Sequence, residues 1–100
     1  MHIAIKPRLP LNARSDATIM YNGTLYIIEF KARPRLPKDL VDIERYVKAA
    51  KYIGSVKSIP ILVYTSRLSK EIAMIRKLSL KPLIVLYIAN GMYRVVYENI

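Results

Sequence analysis

The dipeptide Asn22-Gly23 stands between two runs of β-branched and aromatic residues, 17–21 and 24–32, and no other feature narrows the fold of this chain as much. Asn-Gly is the preferred pair for a two-residue type I′ hairpin, because both turn positions need a positive φ that Asn tolerates and Gly adopts freely. A two-residue loop also sets the register. Tyr21 faces Thr24, Met20 faces Leu25, Ile19 faces Tyr26, and the count carried down the ladder puts Asp16 opposite Glu29. Closing the turn on a hydrogen-bonded Tyr21–Thr24 pair makes Asp16 and Glu29 a non-hydrogen-bonded pair, with Cα atoms about 4.5 Å apart. Lys31, two residues past Glu29, shares their face.

Around this hairpin the pattern predicts a short edge strand over 2–6 and a loop over 7–15 that holds Pro7 and Pro10. Pro37 at the start and Gly54 past the end predict a helix over 38–53, with Leu40, Ile43, Val47 and Ala50 inward and Arg45, Lys48 and Lys51 outward. An apolar strand follows over 59–65. Next comes a second helix over 67–78, with Ser66 as its N-cap and Leu68, Ile72, Ile75 and Leu78 facing the core. A closing hairpin, 82–89 and 92–98, turns on Asn90-Gly91. The order β-β-β-α-β-α-β-β predicts an α/β protein: a mixed central sheet with flanking helices, in one domain over residues 1–100. The string Pro-Arg-Leu-Pro occurs at 7–10 and again at 34–37, and we attach no weight to it.

Charge and composition narrow the function. The 100 residues carry 17 Lys plus Arg against 7 Asp plus Glu, a net charge of +10, which favours a polyanionic partner such as nucleic acid. Without cysteine there is no disulfide, thiol nucleophile or Cys-ligated zinc, and one histidine, His2, is a poor basis for a catalytic triad or a multi-His metal site. No stretch approaches the ~20 apolar residues of a membrane span, and the N-terminus lacks signal-peptide architecture, so the expected location is the cytoplasm. Absence of Gln beside abundant Ile, Tyr, Lys and Arg suits a thermophile.

Two carboxylates directly across a ladder repel, so Asp16 and Glu29 call for compensation. A divalent cation supplies it, since Mg²⁺ is commonly held by one or two carboxylates together with water and substrate phosphate. Lys31 supplies a second, partial compensation and a group able to orient water or steady charge on a phosphate oxygen. The plainer alternative is a surface cluster of Asp, Glu and Lys at a hairpin end, worth little energetically.

Ser15-Asp16, the hairpin, and then Glu29-Phe30-Lys31 resemble the PD-(D/E)XK nuclease superfamily, in which an Asp opens one strand and a (D/E)-X-K tripeptide lies on the next. The run from Asn22 through Ala32 reads like its nuclease members, and Asp42 and Tyr46 have the spacing of the Gln-x-x-x-Tyr element of RecB-type nucleases. The likeness spans residues 14–65. It implies a restriction-endonuclease-like core and hydrolysis of phosphodiester bonds with Mg²⁺ or Mn²⁺. Asp16, Glu29 and the Phe30 carbonyl would then be metal ligands, Lys31 the catalytic lysine, and Asp42 and Tyr46 supporting residues. Small archaeal members of the superfamily include junction resolvases. Ser15 stands where the family usually has Pro, and Asp42 where RecB-type members have Gln. The family core normally starts with a helix that often supplies an acid, whereas residues 1–15 hold no acid and two prolines.

Arg8, Arg14, Arg33, Arg35 and Lys38 flank the proposed site and form a candidate rim for the phosphate backbone, or else a solvated basic surface. The apolar closing hairpin predicts a homodimer through that hairpin. The leading expectation is therefore a Mg²⁺- or Mn²⁺-dependent nuclease acting on nucleic acid, DNA in the first instance. The competitors are a non-catalytic nucleic-acid-binding protein on the same fold and an oligomeric interaction protein.

Overall fold

The computed structural model describes residues 2–5, 15–53 and 57–100. Its strands are β1 (His2–Ile5), β2 (Ala17–Tyr21), β3 (Thr24–Lys31), β4 (Lys57–Tyr64), β5 (Leu83–Ala89) and β6 (Met92–Asn99); its helices are α1 (Lys38–Ala50), continued by a 3₁₀ turn (Lys51–Ile53), and α2 (Lys70–Leu78). The strands form one six-stranded sheet in chain order. β3, β4 and β5 run parallel, and antiparallel partners extend the sheet on both sides. The chain is thus an α/β fold with a mixed sheet and two helices, as the order of elements predicts.

Both hairpins turn as their sequences require: Asn22 and Gly23 have φ of 48° and 75°, Asn90 and Gly91 φ of 53° and 72°. The register Tyr21↔Thr24, Met20↔Leu25, Ile19↔Tyr26 is the expected one. It ends at Ala17↔Ile28, one step short of Asp16 and Glu29. There the Asp16 N–H bonds the Ile28 carbonyl at 3.2 Å, so the two acids meet just past the last ladder pair rather than within it.

Five local expectations are corrected. β3 stops at Lys31, not residue 32. β4 starts earlier, at Lys57, and ends at Tyr64. α1 ends at Ala50 and tightens into the 3₁₀ turn, with Ala49 as well as Ala50 wholly buried. α2 starts at Lys70 behind Ser69, not at residue 67 behind Ser66. Leu68 is buried ahead of the helix, the Glu71 carboxylate takes the Ser69 N–H at 3.3 Å, and the Ser66 hydroxyl is buried with no hydrogen-bond partner. Leu78 is 49% exposed, because the helix ends beside it with Ser79 in the left-handed conformation. The expected loop from Pro7 to Arg14, with Arg8 and the first Pro-Arg-Leu-Pro string, lies outside the described residues, as do Lys6 and Gly54.

Most of the core occupies one face of the sheet, while Ala17, Ile59 and Val63 are buried on the other. Leu40 and Ile43 of α1 and Leu68 and Ile75 at α2 pack with Leu62, Tyr64, Leu83 and Val85. Leu25 and Ile27 meet Ala49 and Ala50. Alternation along the strands sends the intervening residues to the opposite face. That face carries Ile19, Tyr26, Ile28, Ile61, Ile84, Leu86 and Ile88, with Ile3, Ile5, Tyr21, Phe30, Tyr93 and Val95 at least 47% exposed, and among the described residues no helix lies on it.

Candidate active site

Parallel strands collect loop and helix ends at their carboxyl termini, where α/β sheets commonly bind ligands. Glu29 and Lys31 lie near the end of β3 on the helix-covered face, in register with Leu62 and Tyr64 of β4. Pro34 and Pro37 turn the chain out of the strand, and α1 then comes back across the sheet.

Asp16 is fixed by backbone at both ends. Its N–H reaches the Ile28 carbonyl, and its Oδ2 accepts the Phe30 N–H at 2.8 Å. Strand geometry turns the N–H and C=O of one residue to the same side, so the Phe30 carbonyl also leans toward Asp16. Ser15, the departure from the family pattern, is 3% exposed and its hydroxyl donates to the Ala17 carbonyl at 3.2 Å, tying down the entry to β2.

Glu29 is 7% exposed. Its carboxyl is pushed up from 4.5 to about 7, first by burial and then by the hydrogen bond and repulsion from Asp16, against opposing pulls from the Tyr46 hydroxyl and Lys31. At neutral pH the Glu29 carboxyl is therefore only partly ionised. Tyr46, on α1, bonds Glu29, and its own hydroxyl is held well above the ordinary phenol range by burial and by that carboxylate.

Lys31 is held from the helix side. Its Nζ is 3.4 Å from Asp42 Oδ2 and 3.9 Å from Asp39 Oδ1. Lys38 joins Asp42 at 3.3 Å from the outside. Asp39 is 1% exposed, and its Oδ2 accepts from the Tyr64 hydroxyl at 2.7 Å and from the Arg35 N–H at 2.8 Å. Those bonds pin the loop, the helix start and β4 together. They also make Tyr64 a hydroxyl that does not ionise, since burial and Asp39 push it far upward.

The structure thus brings together Asp16, Glu29, Lys31, Asp42 and Tyr46, all expected from the sequence. A cleft of about 390 Å³ opens beside them, lined by Phe30, Lys31, Arg33, Arg35, Lys38 and Asp39. Arg33, Arg35 and Lys38 are therefore at the site, whereas Arg8 and Arg14 lie outside the described residues. Sequence reasoning missed Asp39 and Tyr64. Asp39 had a readable signal, for 39, 42 and 46 recur at i, i+3 and i+7, one face of a helix. Tyr64 had none, being one more apolar-run residue until the fold aims its hydroxyl at Asp39.

Whether a divalent ion fits depends on the donors. Among the described residues no three His, Cys, Asp or Glu side chains converge as a metal-holding group. Asp16 and Glu29 with the Phe30 carbonyl form a set of hard oxygens with few protein ligands, the kind Mg²⁺ accepts when water and phosphate complete its shell. The repulsion between the two acids, which a cation would relieve, is the ground on which the donor set fits. Comparison with protein-family models, with curated proteins and with solved structures finds no match.

Proposed function

We propose that this protein is a metal-dependent nuclease of restriction-endonuclease-like fold, acting in the cytoplasm on nucleic acid, DNA in the first instance. One observation carries the reading. Of seven acids in a chain of net charge +10, four (Asp16, Glu29, Asp39 and Asp42) gather around Lys31 at the edge of a basic cleft. The PD-(D/E)XK-like order of Asp16, hairpin, Glu29-Phe30-Lys31 and a following helix supports it.

In this reading Asp16, Glu29 and the Phe30 carbonyl hold Mg²⁺ or Mn²⁺, which supplies Lewis-acid polarisation of a phosphoryl oxygen and eases deprotonation of the attacking water. The remaining work belongs to the chain's own groups. Asp39 and Asp42 position the Lys31 ammonium, which orients water and steadies negative charge developing on phosphate. Tyr46 fixes the Glu29 carboxyl, and Arg33, Arg35 and Lys38 grip the backbone without reading bases. A second reading, binding without cutting, is favoured by the small number of ligating side chains.

Labelled duplex, single strand, flap, four-way junction and RNA, offered in Mg²⁺, Mn²⁺ or EDTA, separate the readings. Wild type is expected to cut at least one substrate only with metal, and Asp16→Asn, which keeps an acceptor for the Phe30 N–H, is expected not to cut. Metal-independent cutting, or equal cutting by both proteins, overturns the nuclease; tight binding with no cutting by wild type selects the binding module.

The sheet face on which none of the described helices lies belongs to the same proposal: a second copy of the chain covers it, with the closing hairpin at its edge. Strands about 4.8 Å apart and rising about 3.3 Å per residue give this face roughly 500 Å² in projection, within the ~300–600 Å² of the largest apolar patch on a typical monomer, a patch that is often functional. Two such faces together bury about 1,000 Å², the lower bound for a stable interface. By sedimentation equilibrium the wild type is expected to be dimeric at tens of micromolar, and Tyr93→Glu with Val95→Glu monomeric. Wild type that stays monomeric at high micromolar concentration overturns the dimer.

A further inference from the structure

A second basic cleft lies on the same edge of the sheet. It has a volume of about 420 Å³ and is lined by Arg67, Arg76 and Arg94 with Ser69 and Tyr87. Three elements contribute: Arg67 stands in the loop after β4, Arg76 on α2 and Arg94 on β6. All three arginines are exposed. No ion pair among the described residues involves any of them, since the pairs found are those of Lys31 and Lys38 with Asp39 and Asp42. Three like charges brought to one cleft from three parts of the chain repel, and an anion seated among them relieves the repulsion. Guanidinium suits phosphate in particular, since its fixed fork of N–H donors can engage two oxygens at once.

The register connects the two clefts. Lys31 pairs with Tyr64, Tyr64 with Tyr87, and Tyr87 with Arg94, one row across four strands. Three steps of about 4.8 Å put the backbones of Lys31 and Arg94 about 14 Å apart. A single strand, which advances about 3.4 Å along the duplex axis for each phosphate, can reach across that span within a few phosphates.

We propose that the cleft of Arg67, Arg76 and Arg94 is a second phosphate-backbone site, holding the same nucleic-acid strand a few phosphates from the one engaged at Lys31. The assignment rests on the nuclease reading only in naming nucleic acid as the polyanion. It adds a direction to that reading: the strand runs along the carboxyl ends of the parallel strands, from the α1 side to the β6 side. Affinity is then shared between two clefts, while chemistry stays at one.

Binding of a fluorescent duplex in EDTA, followed by anisotropy over a range of salt, tests this. Arg67→Ala, Arg76→Ala and Arg94→Ala are combined in one protein. A control loses the same charge through Lys48→Ala, Lys51→Ala and Lys57→Ala, positions that are also exposed. The arginine variant is expected to bind at least tenfold more weakly at moderate salt. Its plot of log affinity against log salt should be shallower by about two to three, roughly 0.9 for each phosphate that is no longer neutralised. The control is expected to stay within about threefold of wild type. Equal weakening of the two variants, or an arginine variant that binds like wild type, overturns the second site and leaves the nuclease reading standing. Wild type that binds no duplex even at low salt overturns both. Circular dichroism of each variant checks that the exposed substitutions leave the fold intact.

Discussion

A Glu29→Gln protein is expected to be more stable than wild type at pH 8 in EDTA, and to have lost cutting activity by about a thousandfold or more when metal is restored. The two effects have one origin. Glu29 has a carboxyl pushed from 4.5 up to about 7 by burial and by Asp16, so the folded state resists its ionisation. Below pH 4.5 both folded and unfolded chains hold the proton, and Glu29 takes nothing from stability. Between pH 4.5 and 7 the unfolded chain releases it while the folded chain keeps it, so stability falls as pH rises. Above pH 7 both states are ionised and the loss levels off at about 3 kcal/mol, taking 1.36 kcal/mol for each pH unit of displacement. Glutamine removes that slope. Urea midpoints measured from about pH 4 to 8 in EDTA should fall with pH for wild type and stay level for the variant. Parallel curves would mean that Glu29 is not held against ionisation. Set against a total stability of about 5–15 kcal/mol for a native domain, this is a large cost for one side chain. In the proposed nuclease it reflects a site built for a cation.

Asp39→Ala is expected to destabilise the fold by about 3 kcal/mol, within the range for removing one partner of a buried charged network. The substitution leaves the Tyr64 hydroxyl, 0% exposed, without its 2.7 Å acceptor and the Arg35 N–H without its 2.8 Å acceptor. Tyr64→Phe should cost less, about 1–2 kcal/mol, because Asp39 keeps the Arg35 N–H and its ion pair with Lys31. Combined, the two should cost less than their sum by about 1–2 kcal/mol, since each single change already breaks the shared bond. Denaturant unfolding of the four proteins measures this coupling; additivity within about 0.5 kcal/mol would show that the Asp39–Tyr64 bond contributes little. Asp39→Asn, which keeps an acceptor for Tyr64, should be the milder change in stability and still loosen the hold on Lys31.

Legibility in the sequence follows the range of the interaction. Hairpins are local: Asn22-Gly23 and Asn90-Gly91 impose their backbone angles within two residues. The register they set runs to Ala17 and Ile28, one step short of Asp16 and Glu29, and that is why those acids and Lys31 stand out in the sequence itself. The start of α2 is less legible, because the sequence points to Ser66 as its cap, and only the burial of Leu68 ahead of the helix moves the start to Lys70 behind Ser69.

Chain order, the mixed α/β class, both turns and the nearness of Asp16 to Glu29, just past the last ladder pair, were therefore determined by the sequence alone, through steric preference and alternation over a few residues. Three features were decided only by the tertiary structure. Asp39 became a buried keystone because α1 crosses β4 where Tyr64 points at it. Among the described residues the two helices lie on one face of the sheet, and none lies on the other. And Arg67, Arg76 and Arg94, separated along the chain, share one cleft. Each of these depends on how segments far apart in sequence lie against one another, and that is set by packing of the whole core, which no local pattern encodes.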